Sequence, residues 1–194
     1  MKYLIILLSF IIGCSNRSEY LFDNINDPII PNYKDKVIPV WVESGFSKEE
    51  LIEINNAILE WNIAFNGVKV LSPVSWNLLR TENHLTSKDL LILRVSSTDP
   101  EFHNNYIQGM LGFANKDNDG KSYLYIISDR VNSDMMFGVI LHELGHLFGA
   151  GHSETGLMTP YYSEDNVKCI DIETIIQVQT SMGFPDKTMI SSCK

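Results

Sequence analysis

The chain is short of histidine, cysteine and basic side chains, and each shortage limits what it can do. Its 194 residues include five histidines and three cysteines, and 15 lysines and arginines stand against 24 acidic residues. The resulting net charge of -9 argues against a nucleic-acid partner, because phosphate binding needs a basic face. The length suits a single domain, and a hydrophobic content of 44% is typical of an ordinary globular protein.

The N-terminal apolar run, Leu4–Ile12, is too short to span a bilayer, because a membrane-spanning helix needs about 20 residues. Its charge, length and small-residue end are typical of a secretory signal peptide. The end of the run, Ile11–Cys14, resembles the bacterial lipobox. This resemblance implies that residues 1–13 are removed and that Cys14 carries a lipid. Residues 15–36 are rich in Asn, Asp, Ser and Pro without a clear period, so we interpret 14–36 as a lipidated tether or a loosely wrapped leader. The protein would then be anchored in the bacterial cell envelope, outside the cytoplasm, at the outer membrane or the cell surface. The alternatives are a buried strand or an uncleaved anchor.

The two remaining cysteines, Cys169 and Cys193, form an even pair. In an oxidising compartment such a pair predicts a disulfide. The alternative is two free buried thiols.

The pattern of apolar residues and turn formers predicts an α+β or α/β layered fold, with helices packed on a mixed sheet. A helix begins after Ser47, which forms an S-x-x-E capping box with Glu50, and it stops at Gly67. The other predicted helices are 133–148 and 171–182. Strands are predicted at 37–44, 68–74 and 89–96, with two more within 110–128 around a turn at 117–120.

Three of the five histidines lie within one short segment, HELGHLFGAGH, from His142 to His152. On a helix, residues four apart project from the same face, so His142 and His146 can direct two imidazole nitrogens at one point. Glu143 is rotated by about 100° from His142 and can reach a molecule bound to the metal without binding the metal itself. This spacing predicts a zinc site with a neighbouring general base.

A straight helix would carry His152 about 9 Å beyond His146, so the chain has to turn back for His152 to become the third ligand. Gly149 is placed for this turn, because glycine tolerates the left-handed conformation that ends helices. A catalytic zinc has three protein ligands and one open position, whereas a structural zinc is normally closed by four ligands. The alternatives are therefore a structural zinc site or a surface helix with solvated histidines.

The segment His142–His152 resembles the zinc-binding signature of the metzincin metalloproteases. Met158 matches the methionine turn of that family, and Pro160 and Tyr162 are similar to the matrixin segment that forms a wall of the substrate pocket. The resemblance implies a metalloprotease domain at 37–194. Its fold would be a twisted mixed sheet with one antiparallel edge strand, an active-site helix, a methionine turn and a C-terminal helix.

The family resemblance also identifies a candidate for the edge strand. Leu111, Gly112, Phe113 and Ala114 are similar to the strand that binds extended substrate by strand addition. The alternative is an interior strand without a ligand.

Further metal sites are not favoured. Asn115, Asp117 and Asp119 resemble the start of a calcium loop, but Ile126 occupies the position of its last ligand, so we favour a plain turn over calcium. His84 and His103 are expected at the surface rather than at a second zinc.

These observations predict a monomeric, lipid-anchored endopeptidase that uses one zinc ion, with Glu143 as general base, to cleave protein or peptide substrates. Two alternatives stay open. One is a zinc-binding envelope or adhesion lipoprotein without catalytic activity, and the other is a metal-dependent hydrolase that acts on a non-peptide bond.

Overall fold

A computed structural model describes residues 34–74, 85–99 and 109–193. The predicted signal peptide, the lipidation site Cys14 and most of the tether lie outside the described residues, as do His84 and His103. None of the helices in the described ranges is both long enough and apolar enough to cross a membrane.

The described residues form an α+β fold of five strands and three helices, so the predicted coarse fold class is confirmed. In chain order the elements are β1 Val37–Val42, α1 Lys48–Ala64, β2 Val70–Val74, β3 Leu90–Val95, β4 Gly112–Lys116, β5 Ser122–Ile127, α2 Ser133–Leu147 and α3 Ile172–Met182. Their bounds differ from the predicted ones by a few residues at most, chiefly where strands give way to loops.

The five strands form one mixed sheet in the order β2-β1-β3-β5-β4. All neighbouring strands are parallel except β4, which is antiparallel to β5 with Phe113 opposite Tyr125. Within the described ranges β4 therefore lies at one edge of the sheet, as expected for the segment 111–114. Leu111 itself precedes β4, and its carbonyl accepts a hydrogen bond from Ile127.

Helix α1 begins where the capping box predicts. The Ser47 hydroxyl accepts from the Glu50 amide, and the Glu50 carboxylate accepts from the Ser47 amide. Its buried face packs on α2, where the Trp61 indole donates to the Leu141 carbonyl across 3.1 Å. Trp61, Phe65 and Phe148 are fully buried and meet edge to face or tilted, so the end of α2 rests on a rigid aromatic cluster.

Helices α2 and α3 also have side-chain caps. Asn132 accepts from the Met135 amide at the start of α2, and Asp171 accepts from the Thr174 amide at the start of α3. Helix α3 ends at Gly183, whose φ of 68° is the left-handed conformation that glycine tolerates. Ile175 and Val178 are buried on its inner face, so tertiary packing supports a helix in a segment rich in branched residues.

The predicted disulfide between Cys169 and Cys193 is formed, with the two Cα atoms 5.1 Å apart. It closes the segment that contains α3 and the irregular C-terminal return segment 183–193. In this return the Ser192 amide donates to the Ile170 carbonyl, and the Ile190 amide donates to the Ala64 carbonyl of α1. The bridge thus keeps α3 against the rest of the domain.

We predict that Cys193→Ser combined with Cys169→Ser lowers the free energy of unfolding by about 3 kcal/mol, because the unfolded chain regains the freedom that the closed loop removes. Urea unfolding of the oxidised protein and of the double variant measures this difference. Reductant should destabilise the wild-type protein and leave the double variant unchanged. Equal stability of the two oxidised proteins would contradict the prediction.

Candidate metal centre

Helix α2 places His142 and His146 one turn apart and buries both completely. Their Nε2 atoms are 3.1 Å apart, and their rings meet edge to face with centroids 4.8 Å apart. The four-residue spacing thus brings two imidazole nitrogens to one point, as the helical geometry predicts.

Backbone carbonyls fix the tautomers of these two histidines. The Nδ1 of His142 is 2.7 Å from the Leu157 carbonyl, and the Nδ1 of His146 is 2.8 Å from the Ala150 carbonyl. A carbonyl oxygen can only accept, so each Nδ1 donates its proton and each Nε2 keeps its lone pair. Burial, followed by the neighbouring His146, holds the pKa of His142 well below its usual range, so that ring is neutral at pH 7.

The chain turns back after α2 and brings the third histidine to the first two. Gly149 has a φ of 93°, and the Ala150 amide donates to the Gly145 carbonyl across 2.9 Å. The ring centroid of His152 then lies 5.6 Å from that of His142 and 4.9 Å from that of His146. The prediction that His152 joins the helical pair is therefore confirmed.

The three histidines form a group that could hold a metal ion, since one nitrogen of each lies within 4.8 Å of the others. Two nitrogens bound to a tetrahedral zinc are about 3.3 Å apart, close to the separation between His142 and His146. Two lone pairs facing each other at this distance repel, and a cation between them removes the repulsion. The donor set and its tautomers therefore fit zinc.

Glu143 follows the first histidine and is fully buried between α2 and the edge strand. A Cβ added to Gly112 would lie 3.2 Å from the Glu143 carboxylate and 2.9 Å from the Tyr125 carbonyl. The absence of a side chain at position 112 therefore leaves the room that this carboxylate occupies. Gly112, predicted to contact substrate, thus also lies beside the predicted base.

Met158 is fully buried against α2. A Cβ on Gly145 would lie only 2.5 Å from the Met158 sulfur, so glycine at position 145 allows the methionine to approach the helix. The backbone around Met158 also holds the histidines, because the Leu157 carbonyl accepts from His142 and the Met158 carbonyl accepts from the amide of Ser153.

A cavity of about 730 Å³ adjoins the third histidine. Its lining residues come from the loop after α2 and the start of α3: His152, Ser153, Glu154, Thr159, Pro160, Tyr161, Asn166 and Glu173. Pro160 lines this cavity, whereas Tyr162 is half-buried with its ring beside Gly138 of α2. Contact of substrate with Pro160, Tyr162 or residues 111–114 stays a prediction.

The residues considered for calcium are engaged in a turn. One carboxylate oxygen of Asp117 accepts from the Lys121 amide at 2.8 Å, and the other accepts from the Tyr123 hydroxyl at 3.0 Å. The Asn115 side-chain oxygen accepts from the Lys116 amide. These contacts favour the plain turn predicted for this segment.

Several residues around the histidines have no signature in the sequence. The carbonyls of Leu157 and Ala150 act through the backbone, which every residue type shares. Gln177 accepts from the Gly151 amide at 2.8 Å, and only the packing of α3 brings it there. Gly145, three residues after His142, has no side chain and faces the methionine turn. This glycine could have indicated the close approach of Met158.

Neither a scan against models of protein families nor a search of curated proteins gives a match to this chain.

We predict that the metal-free protein, held in chelator, loses stability as the pH falls below about 6.5 and has constant stability just above it. The unfolded chain binds a proton at His142 near its unperturbed pKa, whereas the folded chain, with its lowered pKa, does not. Each such histidine contributes a slope of up to about 1.4 kcal/mol per pH unit. Urea unfolding between pH 5 and 8 measures the slope, which His142→Gln should reduce; an unchanged slope in this variant would contradict the assignment.

Proposed function

We propose that this protein is a zinc-dependent endopeptidase of the metzincin type, similar to matrixins. The observation that carries the proposal is the convergence of His142, His146 and His152, whose nitrogens lie within 4.8 Å of one another. Glu143, adjacent in sequence to the first of them, is buried beside the edge strand β4. A site built only to bind metal has no use for a carboxylate at this position.

His142, His146 and His152 would hold the zinc ion through imidazole nitrogens. Zinc, when bound, supplies Lewis-acid chemistry: it polarises a carbonyl oxygen and increases the acidity of water. The carbonyls of Leu157 and Ala150 orient the two helical rings by accepting from their Nδ1 atoms. This fixed orientation lowers the cost of ordering the ligands when the metal binds.

Glu143 would act as the general base. Its carboxylate takes a proton from the water that attacks the scissile carbonyl, and it returns this proton to the nitrogen of the departing amine. Complete burial keeps bulk water away from the carboxylate, so the proton passes between few partners. Met158 packs against α2 at Gly145 and takes no part in proton transfer.

An extended peptide would bind along β4. Within the described residues this strand lies at an edge of the sheet beside β5, and a sheet edge can take up an extended chain by strand addition. Leu111, Gly112, Phe113 and Ala114 would run beside the substrate, and Gly112 would place the scissile bond close to Glu143. Pro160 would border the cavity for a neighbouring substrate side chain.

The lipobox-like segment that ends in Cys14 is the basis for proposing an extracytoplasmic, lipid-anchored protein. The Cys169–Cys193 bridge supports this location, because structural disulfides persist in oxidising compartments. The substrates would then be proteins or peptides of the cell envelope or its surroundings.

We predict that Glu143→Gln abolishes peptide-bond cleavage, with a loss of at least 100-fold in kcat, on the order expected for loss of a general base. Zinc should stay bound, because all three histidines remain. The assay is hydrolysis of a mixed protein substrate by the zinc-loaded full chain, with zinc content measured in parallel. Glu49→Gln, in the exposed first turn of α1, serves as the matched control and should retain full activity.

The outcome separates the alternatives. Equal cleavage by wild type and Glu143→Gln, or no cleavage by either with zinc bound, would exclude the proposed protease. Zinc binding without hydrolysis of any substrate would favour the non-catalytic lipoprotein. If the wild type hydrolyses esters but not peptides, and the variant loses the ester hydrolysis, the result would favour a hydrolase of non-peptide bonds.

We predict that Gly112→Ala lowers kcat about tenfold while zinc remains bound, because small displacements of a catalytic group have large effects on rate. The added methyl would crowd the Tyr125 carbonyl at 2.9 Å and the Glu143 carboxylate at 3.2 Å. Gly45→Ala is the control, since its methyl would only meet Arg94 at an ordinary 3.4 Å. An unchanged kcat in Gly112→Ala would show that residue 112 does not determine the position of the Glu143 carboxylate.

A further inference from the structure

We propose that Gln177 is a positioning residue for the third metal ligand, an inference that rests on the proposed zinc site. Its side-chain oxygen accepts a hydrogen bond from the Gly151 amide across 2.8 Å. Gly151 directly precedes His152, so this contact holds the Ala150–Gly151 peptide unit, one residue before the third imidazole. The contact joins α3 to the return loop 149–151, and the two bonded residues are 26 positions apart in sequence.

The return loop needs such a restraint because of its composition. Gly149, Ala150 and Gly151 carry almost no side chain, and glycine has more backbone freedom than any other residue. The Ala150 carbonyl is engaged with His146, which fixes the loop near the second ligand. The Gly151 amide is the last backbone donor before His152, and Gln177 engages it.

A second contact from the same face of α3 acts on the other end of the loop. The hydroxyl of Ser181, one helical turn after Gln177, donates to the Gly149 carbonyl across 2.8 Å. At the start of α3, Asp171 accepts from the Leu157 amide at 2.8 Å, and the carbonyl of Leu157 in turn accepts from His142. Helix α3 therefore contacts the backbone next to the first and third ligands although it carries no ligand itself.

The geometry therefore assigns to Gln177 an effect on metal binding that is separate from its effect on folding. Partners that orient metal ligands typically change metal affinity by 10–100-fold when they are removed. Gln177 orients His152 through one peptide unit rather than directly, so its removal should weaken zinc binding by about tenfold, at the lower end of that range.

The same helix offers a matched control. The side-chain oxygen of Gln179 accepts from the Met189 amide across 2.7 Å, so it also makes one hydrogen bond from α3 to a backbone donor. Met189 belongs to the C-terminal return segment 183–193, near the disulfide, and is remote in sequence from the three histidines. Gln177→Leu and Gln179→Leu therefore each remove one comparable hydrogen bond, but only the first touches the loop that carries His152.

The test measures the zinc dissociation constant of the full chain by competition with a chromophoric chelator, and the urea unfolding of the metal-free protein. We expect Gln177→Leu to raise the dissociation constant about tenfold and Gln179→Leu to leave it within about twofold of wild type. Gln177→Glu keeps a side-chain oxygen that can accept from Gly151 and should restore most of the affinity. Gln177→Ala removes the same acceptor and gives the same comparison where the leucine variant does not fold.

Wild-type affinity in both Gln177→Leu and Gln177→Ala would overturn the assignment. An equal loss of affinity in Gln179→Leu would also overturn it, because the effect would then be a general loosening of α3. Failure of the wild-type chain to bind zinc with one ion per chain would instead overturn the proposed metal site itself. Normal zinc binding without proteolysis would exclude the proposed function but would not contradict the role of Gln177.

Discussion

The site depends on one constraint: a single helix can bring only two imidazole nitrogens to one point, so the third has to come from another part of the chain. Helix α2 gives His142 and His146, and the left-handed turn at Gly149 gives His152. The close approach of Met158 to Gly145 is a consequence of that turn, because the loop that returns to the helix has to pack against it. The carbonyls of the same loop then orient the two helical rings.

Burial of three polar side chains in α2 would be costly without compensation. His142, Glu143 and His146 are fully buried, and the Nδ1 atoms of the two histidines donate to backbone carbonyls. The apolar core offsets this cost from the other side of the helix, where α1 contributes Trp61 and Phe65. The sheet contributes its edge, so the polar face of α2 lies next to β4, one of the two edge strands of the sheet within the described ranges.

Most of the fold could be predicted from local signals. The Ser47–Glu50 capping box marked the start of α1, and the histidine spacing identified both the helix and its return. Other features depend on packing between segments distant in sequence. Nothing in the sequence near Gln177 indicates that its side chain reaches Gly151, and the carbonyls of Leu157 and Ala150 have no residue-type signal. The same limit applies to Tyr161, which lines the cavity, while its neighbour Tyr162 packs beside α2.

The order of segments along the chain has a consequence for biosynthesis. The three histidines lie between positions 142 and 152, but the helix that contacts their loop begins at Ile172, and its disulfide closes only at Cys193. A nascent polypeptide therefore contains all three histidines before the ribosome has synthesised the side chains of α3 that contact their loop. On the proposed role of α3, tight metal binding therefore requires that translation has passed this helix and that the disulfide has formed.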